Sequence, residues 1–233
     1  MIKRILYSFL FILIFLLITS LLILSTIGIN TSRFNEVISL KVAKAKNLQL
    51  EFKTITFKLH LKELSLFLET DKPKLNYSGS LIPIRNLQVY VDFLSLIKTN
   101  IKIKKINLDL EELEVTELIK FSKIIKPSNF KSILNNKIKD GKVIFQIEIF
   151  ADDNEIFDNY IVKGNVKNLY ANILSDLNLS NTNFSFFADK EDILVKNING
   201  NIEKMKVSDG DIKLNFKNGV KIISNFNSEF NLD

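Results

Sequence analysis

Residues 54–62 read TITFKLHLK, a stretch in which polar and apolar side chains alternate without a fault. Successive side chains of a β-strand point to opposite faces of a sheet, so alternation of this kind predicts a strand with one apolar face and one polar face. The apolar face of this stretch carries Ile55, Phe57, Leu59 and Leu61.

The same alternation continues on both sides of this stretch, but its phase changes. A change of phase moves every following side chain to the other face of a sheet, so the chain has to turn or bulge at that point. We expect such changes near Lys53, at Lys62-Glu63 and at Lys104-Lys105.

A second clean alternation follows Asp140-Gly141, which is typical of a hairpin turn. Its apolar positions are Val143, Phe145, Ile147 and Ile149. From there, glycine and polar clusters recur at intervals of about 8–12 residues, a spacing that favours an antiparallel meander of short strands. The predicted breaks are Gly164, Asp189-Lys190-Glu191-Asp192, Gly200, Asp209-Gly210 and Asn218-Gly219.

One region departs from the strand pattern. In TELIKFSKIIKP (116–127), the apolar residues fall at helical spacing, Thr116 is suited to cap the helix and Pro127 marks its end. We predict a short helical insertion over about residues 116–135. It should cover one end or edge of the sheet.

The N-terminal region reads as a membrane anchor. Residues 5–29 (ILYSFLFILIFLLITSLLILSTIGI) carry no charge, and about 25 helical residues span the roughly 30 Å hydrocarbon core. A cleaved signal peptide has a shorter apolar stretch and a small-residue cleavage site, so we favour a retained anchor. Lys3 and Arg4 place residues 1–4 in the cytoplasm by the positive-inside rule, with the β-rich domain, residues 30–233, across the membrane.

Composition argues against several kinds of chemistry. The chain has no cysteine and a single histidine, His60, which we expect at the surface. The net charge of +6 comes from lysines spread along the chain, whereas nucleic-acid binding needs a clustered basic face. The acidic run Asp152-Asp153-Asn154-Glu155 lacks the spacing of a calcium loop, and Lys102, Lys104 and Lys105 fit a solvated strand face. We therefore expect no enzyme, no cofactor, no metal site and no nucleic-acid partner.

Two interpretations of the apolar strand faces remain open. The eight apolar residues of the two clean strands either fill the core of a closed sandwich or line an open groove that accepts acyl chains. Phe145→Glu would distinguish them, since a charge in an open groove stays partly solvated while a charge in a closed core unfolds the domain.

The order of these elements resembles the AsmA-like envelope proteins, especially the N-terminal part of the YhdP-type and TamB-type members. The resemblance comprises the anchor, the strands of NLQLEFKTITFKLHLKELSL (47–66), the hydrophobic step and strand of VDFLSLIKTNIKIKKINLDLEELEV (91–115), and the strand start DGKVI (140–144). Two later segments resemble the repeating β-segments of the family: VKGNVKNLYANIL (162–174) and INGNIEKMKVSDGDIKLNF (198–216).

The resemblance implies a mainly β fold, an antiparallel meander curled into a groove and anchored by one transmembrane helix in the inner membrane. It implies phospholipid transport between membranes and a part in outer-membrane homeostasis, with acyl chains as the ligand and the bulk of the chain in the periplasm. Family members are usually much longer, so 233 residues would be the first part of a longer groove.

Two other classes stay open. The domain could be a structural or assembly factor for outer-membrane proteins, with a sheet edge that adds a strand from an envelope partner. It could also be a membrane-anchored enzyme or sensor whose polar pocket holds carboxylates with perturbed pKa values.

Overall fold

The described part of the chain forms two helices and one antiparallel sheet of fourteen strands. This computed structural model describes residues 2–32, 35, 48–52, 54–61, 65–77, 79–92, 102–125, 136–152, 158–174, 177–217 and 219–229. The elements are α1 (Ile2–Thr26), β1 (Ile29–Thr31), β2 (Leu48–Glu51), β3 (Ile55–His60), β4 (Ser65–Asp71), β5 (Lys74–Tyr77), β6 (Ser80–Val91), β7 (Ile103–Leu110), β8 (Leu113–Glu114), α2 (Val115–Ile125), β9 (Ile138–Phe150), β10 (Asn159–Leu174), β11 (Leu177–Ala188), β12 (Asp192–Ile202), β13 (Met205–Asn215) and β14 (Lys221–Glu229).

The predicted fold class is confirmed. The main path through the sheet runs β1-β3-β4-β6-β7-β9-β10-β11-β12-β13-β14. From β9 onward every step joins strands that follow one another along the chain, and each of the three steps that do not (β1-β3, β4-β6 and β7-β9) passes over one short strand. β2 and β5 form a side branch on β6, and β8 pairs with β9. The sheet is not closed, since β1 and β14 lie at opposite ends of the path.

The pairing registers join the apolar positions of the strands into continuous rows. One row crosses six strands as Phe57, Leu68, Val89, Ile106, Ile149 and Tyr160. A second row crosses eight strands as Leu87, Leu108, Ile147, Val162, Ala188, Ile193, Leu214 and Ile222. The two stretches in which the sequence alternates most cleanly therefore lie on the same face of one sheet.

The predicted irregularity at Lys104-Lys105 is present as a β-bulge. Tyr90 pairs with Lys105 and Val91 pairs with Ile103, so Lys104 of β7 is the extra residue, which has no pairing position on β6. The extra residue returns Ile103 and the later apolar residues of β7 to the same face. The changes of phase predicted at Lys53 and Lys62-Glu63 lie outside the described residues.

Several predicted breaks are wrong, because they lie inside long strands. Gly164 is within β10, Gly200 within β12 and Gly210 within β13, while Asp140-Gly141 is within β9. A Cβ on Gly164 would lie 2.6 Å from Cβ of Phe145, on the neighbouring strand, so this glycine allows a close approach of side chains rather than a turn. The break predicted at residues 189–192 does fall at the junction of β11 and β12, and Gly219 lies between β13 and β14, while Asn218 lies outside the described residues. A turn at Glu203-Lys204 was missed.

The predicted helical insertion is confirmed over residues 116–125, and residues 126–135 lie outside the described part. α2 buries Val115 and Ile119, which belong to one apolar cluster with Val143 and Phe145 of β9. The helical spacing of its apolar residues thus places α2 on the apolar face of the sheet.

The polar face of the sheet is held by hydrogen-bonded side chains. The Glu69 carboxylate accepts hydrogen bonds from Lys58 Nζ at 2.6 Å, Asn86 Nδ2 at 2.8 Å and Gln88 Nε2 at 2.9 Å. Burial alone would raise the pKa of Glu69, but these three donors outweigh it and lower that pKa below its ordinary value of 4.5. The charge therefore stabilises the fold above pH 4.5, and this stabilisation is lost as the pH falls through the lowered pKa.

α1 is the one described helix that is long and apolar enough to cross a membrane. Two of its hydroxyl groups bond within the helix, since Thr19 donates to the Phe15 carbonyl at 2.8 Å and Thr26 to the Leu22 carbonyl at 2.7 Å. A polar group without a partner would be costly in hydrocarbon, so these bonds suit a lipid environment.

Gly28 joins α1 to the sheet. Its φ of +76° lies in the left-handed region, and its N–H donates to the Ile23 carbonyl at 2.9 Å. A Cβ at this position would lie 2.6 Å from Thr56 Cγ2 and 2.7 Å from the Phe57 carbonyl oxygen. Only glycine satisfies both the backbone conformation and the close approach to β3.

Gly28→Ala should therefore destabilise the junction between the helix and the sheet. Gly79→Ala is the matched control, because Gly79 has a φ of +84° but nothing within 4 Å of an added Cβ. The control should lose about 1–2 kcal/mol from backbone strain alone, and Gly28→Ala should lose about 1–3 kcal/mol more. Thermal unfolding of the full chain in detergent, followed by circular dichroism, measures both; equal losses would contradict the close approach.

Candidate functional site

The apolar face divides into a covered half and an open half. At β3, β4 and β6, the side branch β2–β5 and the end of α1 contribute to the cover, since Leu50, Leu75 and Leu24 pack with the buried cluster there. At β9 and β10, α2 lies over the sheet. From β11 to β14 the described residues place no second layer on this face.

The eight residues predicted to line the groove lie mainly in the covered half. Ile55, Val143 and Phe145 are buried, with 2%, 1% and 7% of their surface exposed. The half-buried members of the set are Phe57, Leu59, Ile147 and Ile149. Leu61 follows the end of β3, where it is exposed and no longer part of the strand.

A hollow of about 290 Å³ marks the open half. The residues around it come from β10 to β14: Leu169, Leu179, Thr182, Phe184, Val195, Ile198, Gly200, Ile202, Val207, Ile212 and Phe226. Thr182 is the one lining residue with a polar side chain, and its hydroxyl donates to the Ser180 carbonyl at 3.2 Å. The lining therefore presents hydrocarbon to whatever enters.

Two glycines allow lining residues of the hollow to pack closely. Gly200, itself part of the lining, lies against Thr182, and the ring of Phe226 lies over Gly210. A Cβ at either glycine would overlap these side chains, so each glycine permits the close approach of a residue from a neighbouring strand.

The polar face carries a wider cleft of about 450 Å³, with Arg85, Lys163 and Lys196 among its lining residues. Lys163 pairs with Glu148 at 2.7 Å, and Arg85 lies 3.8 Å from Asp109. The carboxylates of Glu148 and Asp109 offset much of the positive charge of Lys163 and Arg85. The cleft is therefore less suited to binding a polyanion than its three basic residues alone would indicate.

The other sequence candidates do not form a reactive site in the described residues. His60 is less exposed than expected, because its ring lies 6.4 Å from that of Phe67 and 6.5 Å from that of Tyr90. Lys104 lies 3.6 Å from Asp92, and Lys105 lies over the ring of Tyr90. Among the residues that the structure describes, no cluster of three His, Cys, Asp or Glu side chains is placed to hold a metal ion.

Residues 153–157, which include most of the acidic run, lie outside the described residues. The topology determinants Lys3 and Arg4 lie exposed in the first turn of α1.

Sequence reasoning missed the residues of the hollow. Alternation indicates that Val195 and Ile212 lie on the apolar face of the sheet. It does not show which part of that face a helix covers. The signal that was available is the glycine pair Gly200 and Gly210 within otherwise alternating strands, which we interpreted as turns.

No protein-family model, curated protein or solved structure matches this chain.

A glutamate should have different effects in the two halves of the apolar face. Phe145→Glu would bury an unpaired charge beneath α2, which should cost about 3 kcal/mol or more. Ile212→Glu places the same charge beside the open hollow, where water reaches it, and should cost about 1 kcal/mol. Chemical denaturation of the two variants measures the difference. Equal losses would show that the two halves are covered alike.

Proposed function

We propose that this chain is an AsmA-like envelope protein that holds the acyl chains of phospholipids on its apolar sheet face and takes part in their transport between membranes. The observation that supports this most is the open, hydrocarbon-lined hollow on β10–β14. It lies on the same apolar face of the sheet that begins at β3, beside the end of α1.

The physical basis is the cost of exposing acyl chains to water. Each exposed CH₂ group costs about 0.8 kcal/mol, so an acyl chain with fifteen methylenes costs about 12 kcal/mol in water. An apolar face that shields even half of these groups removes much of the barrier to leaving a bilayer. An open face leaves the charged headgroup in solvent, so no buried charge has to be compensated.

Transport of this kind requires no bond making, so the proposal includes no enzyme activity, cofactor or metal. Free energy for directed movement would come from elsewhere, such as a gradient of lipid between two membranes or an envelope protein partner.

The proposal places α1 in the inner membrane, with Lys3 and Arg4 in the cytoplasm and the sheet in the periplasm. The short connection through Gly28 supports a sheet that starts at the membrane surface, because β1 begins three residues after α1 ends.

Ile212→Glu should release bound phospholipid while the domain stays folded. Ile223→Glu is the matched control, since Ile223 is exposed on the other face of the neighbouring strand β14. Phospholipid retained by the purified full chain, captured with a photo-activatable acyl chain and counted by mass spectrometry, should fall at least fivefold for Ile212→Glu and stay unchanged for Ile223→Glu.

The circular dichroism spectrum of each variant shows whether the sheet is intact. Equal lipid capture by the two folded variants, or no lipid on the unaltered protein, would overturn the proposed function.

A further inference from the structure

β14 presents a strand edge that no other described residue pairs with. Along its far side from β13, no described strand pairs with it, and all of its nine residues are exposed. Ile222, Ile223 and Phe226 have 62%, 55% and 43% of their surfaces exposed. Sheet edges are usually protected by charge, proline or a bulge, yet the seven residues from 222 to 228 (IISNFNS) contain no charge and no proline.

The only charged residues of β14 lie at its two ends and have opposite signs. Lys221 is the first residue and Glu229 the last, so both are four positions from Asn225 in the middle. In an antiparallel pair of two identical strands centred on Asn225, Lys221 of each copy lies opposite Glu229 of the other. Opposite charges on directly facing residues stabilise a strand pair, and both ends of this pair gain such a contact.

We propose that β14 pairs with β14 of a second copy of this chain, antiparallel and centred on Asn225. The twofold axis at Asn225 makes the interface self-complementary, as a closed dimer requires. The inference concerns assembly and does not rest on the proposed function.

The same register also keeps the two faces in order. Even-numbered residues of β14 lie on the apolar face of the sheet, because Ile222 pairs with Leu214, which belongs to the second apolar row. Centring on Asn225 pairs even residues with even ones, so Ser224 lies opposite Phe226 of the second copy and Ile222 opposite Ser228. The apolar faces of two copies therefore become one continuous face, and no apolar side chain moves to the polar side.

The opposite end of the sheet does not offer a comparable edge. β1 has three residues and follows directly from α1, so it presents few hydrogen-bonding groups beside the membrane-spanning helix. The side-branch strand β2 has four residues. β14, with nine residues, is the longest of these edges and lies farthest from α1 along the strand order.

The absence of cysteine from the chain allows a direct test of the register. Facing residues of antiparallel strands have Cα atoms about 4.5–5.5 Å apart, a separation that a disulfide bridges. Asn225→Cys should therefore form a disulfide-linked dimer when the full chain in detergent is treated with a mild oxidant. Ile223→Cys is the control, because the two copies of residue 223 would lie roughly 14 Å apart, four residues out of register.

The double variant Ile223→Cys/Asn227→Cys should restore crosslinking, since residue 223 of one copy faces residue 227 of the other. We expect at least tenfold faster dimer formation for Asn225→Cys and for the double variant than for Ile223→Cys. Equal rates for all three, or a dimer with Ile223→Cys alone, would overturn the register.

A charge swap tests the contacts at the ends without any oxidant. Lys221→Glu places two carboxylates opposite each other at both ends and should weaken the dimer at least threefold in sedimentation equilibrium. Lys221→Glu/Glu229→Lys restores opposite charges and should return the dimer to its original strength. A monomer at every concentration, or β14 paired with a strand from another protein or from a longer form of this chain, would overturn the proposal.

Discussion

The register between neighbouring strands is the constraint on which the rest of the structure depends. A slip of one residue at any step would turn the apolar residues of all later strands to the polar face. The bulge opposite Tyr90 and Val91 shows how the chain prevents this, because the extra residue of β7 brings Ile103 and Ile106 to the same side. From β10 to β14 the second row passes through regular pairings, and the register shifts of these strands lie outside it.

An apolar sheet face of this width is favoured in water when another layer covers it. The chain covers part of it with α2, the β2–β5 branch and the end of α1, and the two buried clusters lie there. The part from β11 onward has no second layer among the described residues, and it holds the hollow. Leu169 belongs both to a buried cluster and to the lining of the hollow, so the covered and open parts of the face meet at β10.

The sequence carries enough information to predict the fold class, because period two and period 3.6 are both visible in it. It placed the bulge near Lys104 and the helix after Thr116 on those grounds. The predicted turns at Gly164 and Gly210 were wrong, because these glycines permit close packing against Phe145 and Phe226 of neighbouring strands. Such contacts join residues that are separated along the chain, so the local sequence pattern does not show them. For the same reason it selected Val143 and Phe145 as groove residues, although α2 buries them.

The most direct test of the open half measures access to its side chains. The chain has no cysteine, so a single introduced cysteine measures access at one position. Ile198→Cys lies beside the hollow in the open half, and Val143→Cys lies beneath α2 in the covered half. A small thiol reagent applied to the folded protein should modify Ile198→Cys at least a hundredfold faster than Val143→Cys, and both should react alike in denaturant. Equal protection of the two cysteines in the folded protein would contradict an open apolar face and indicate a closed core.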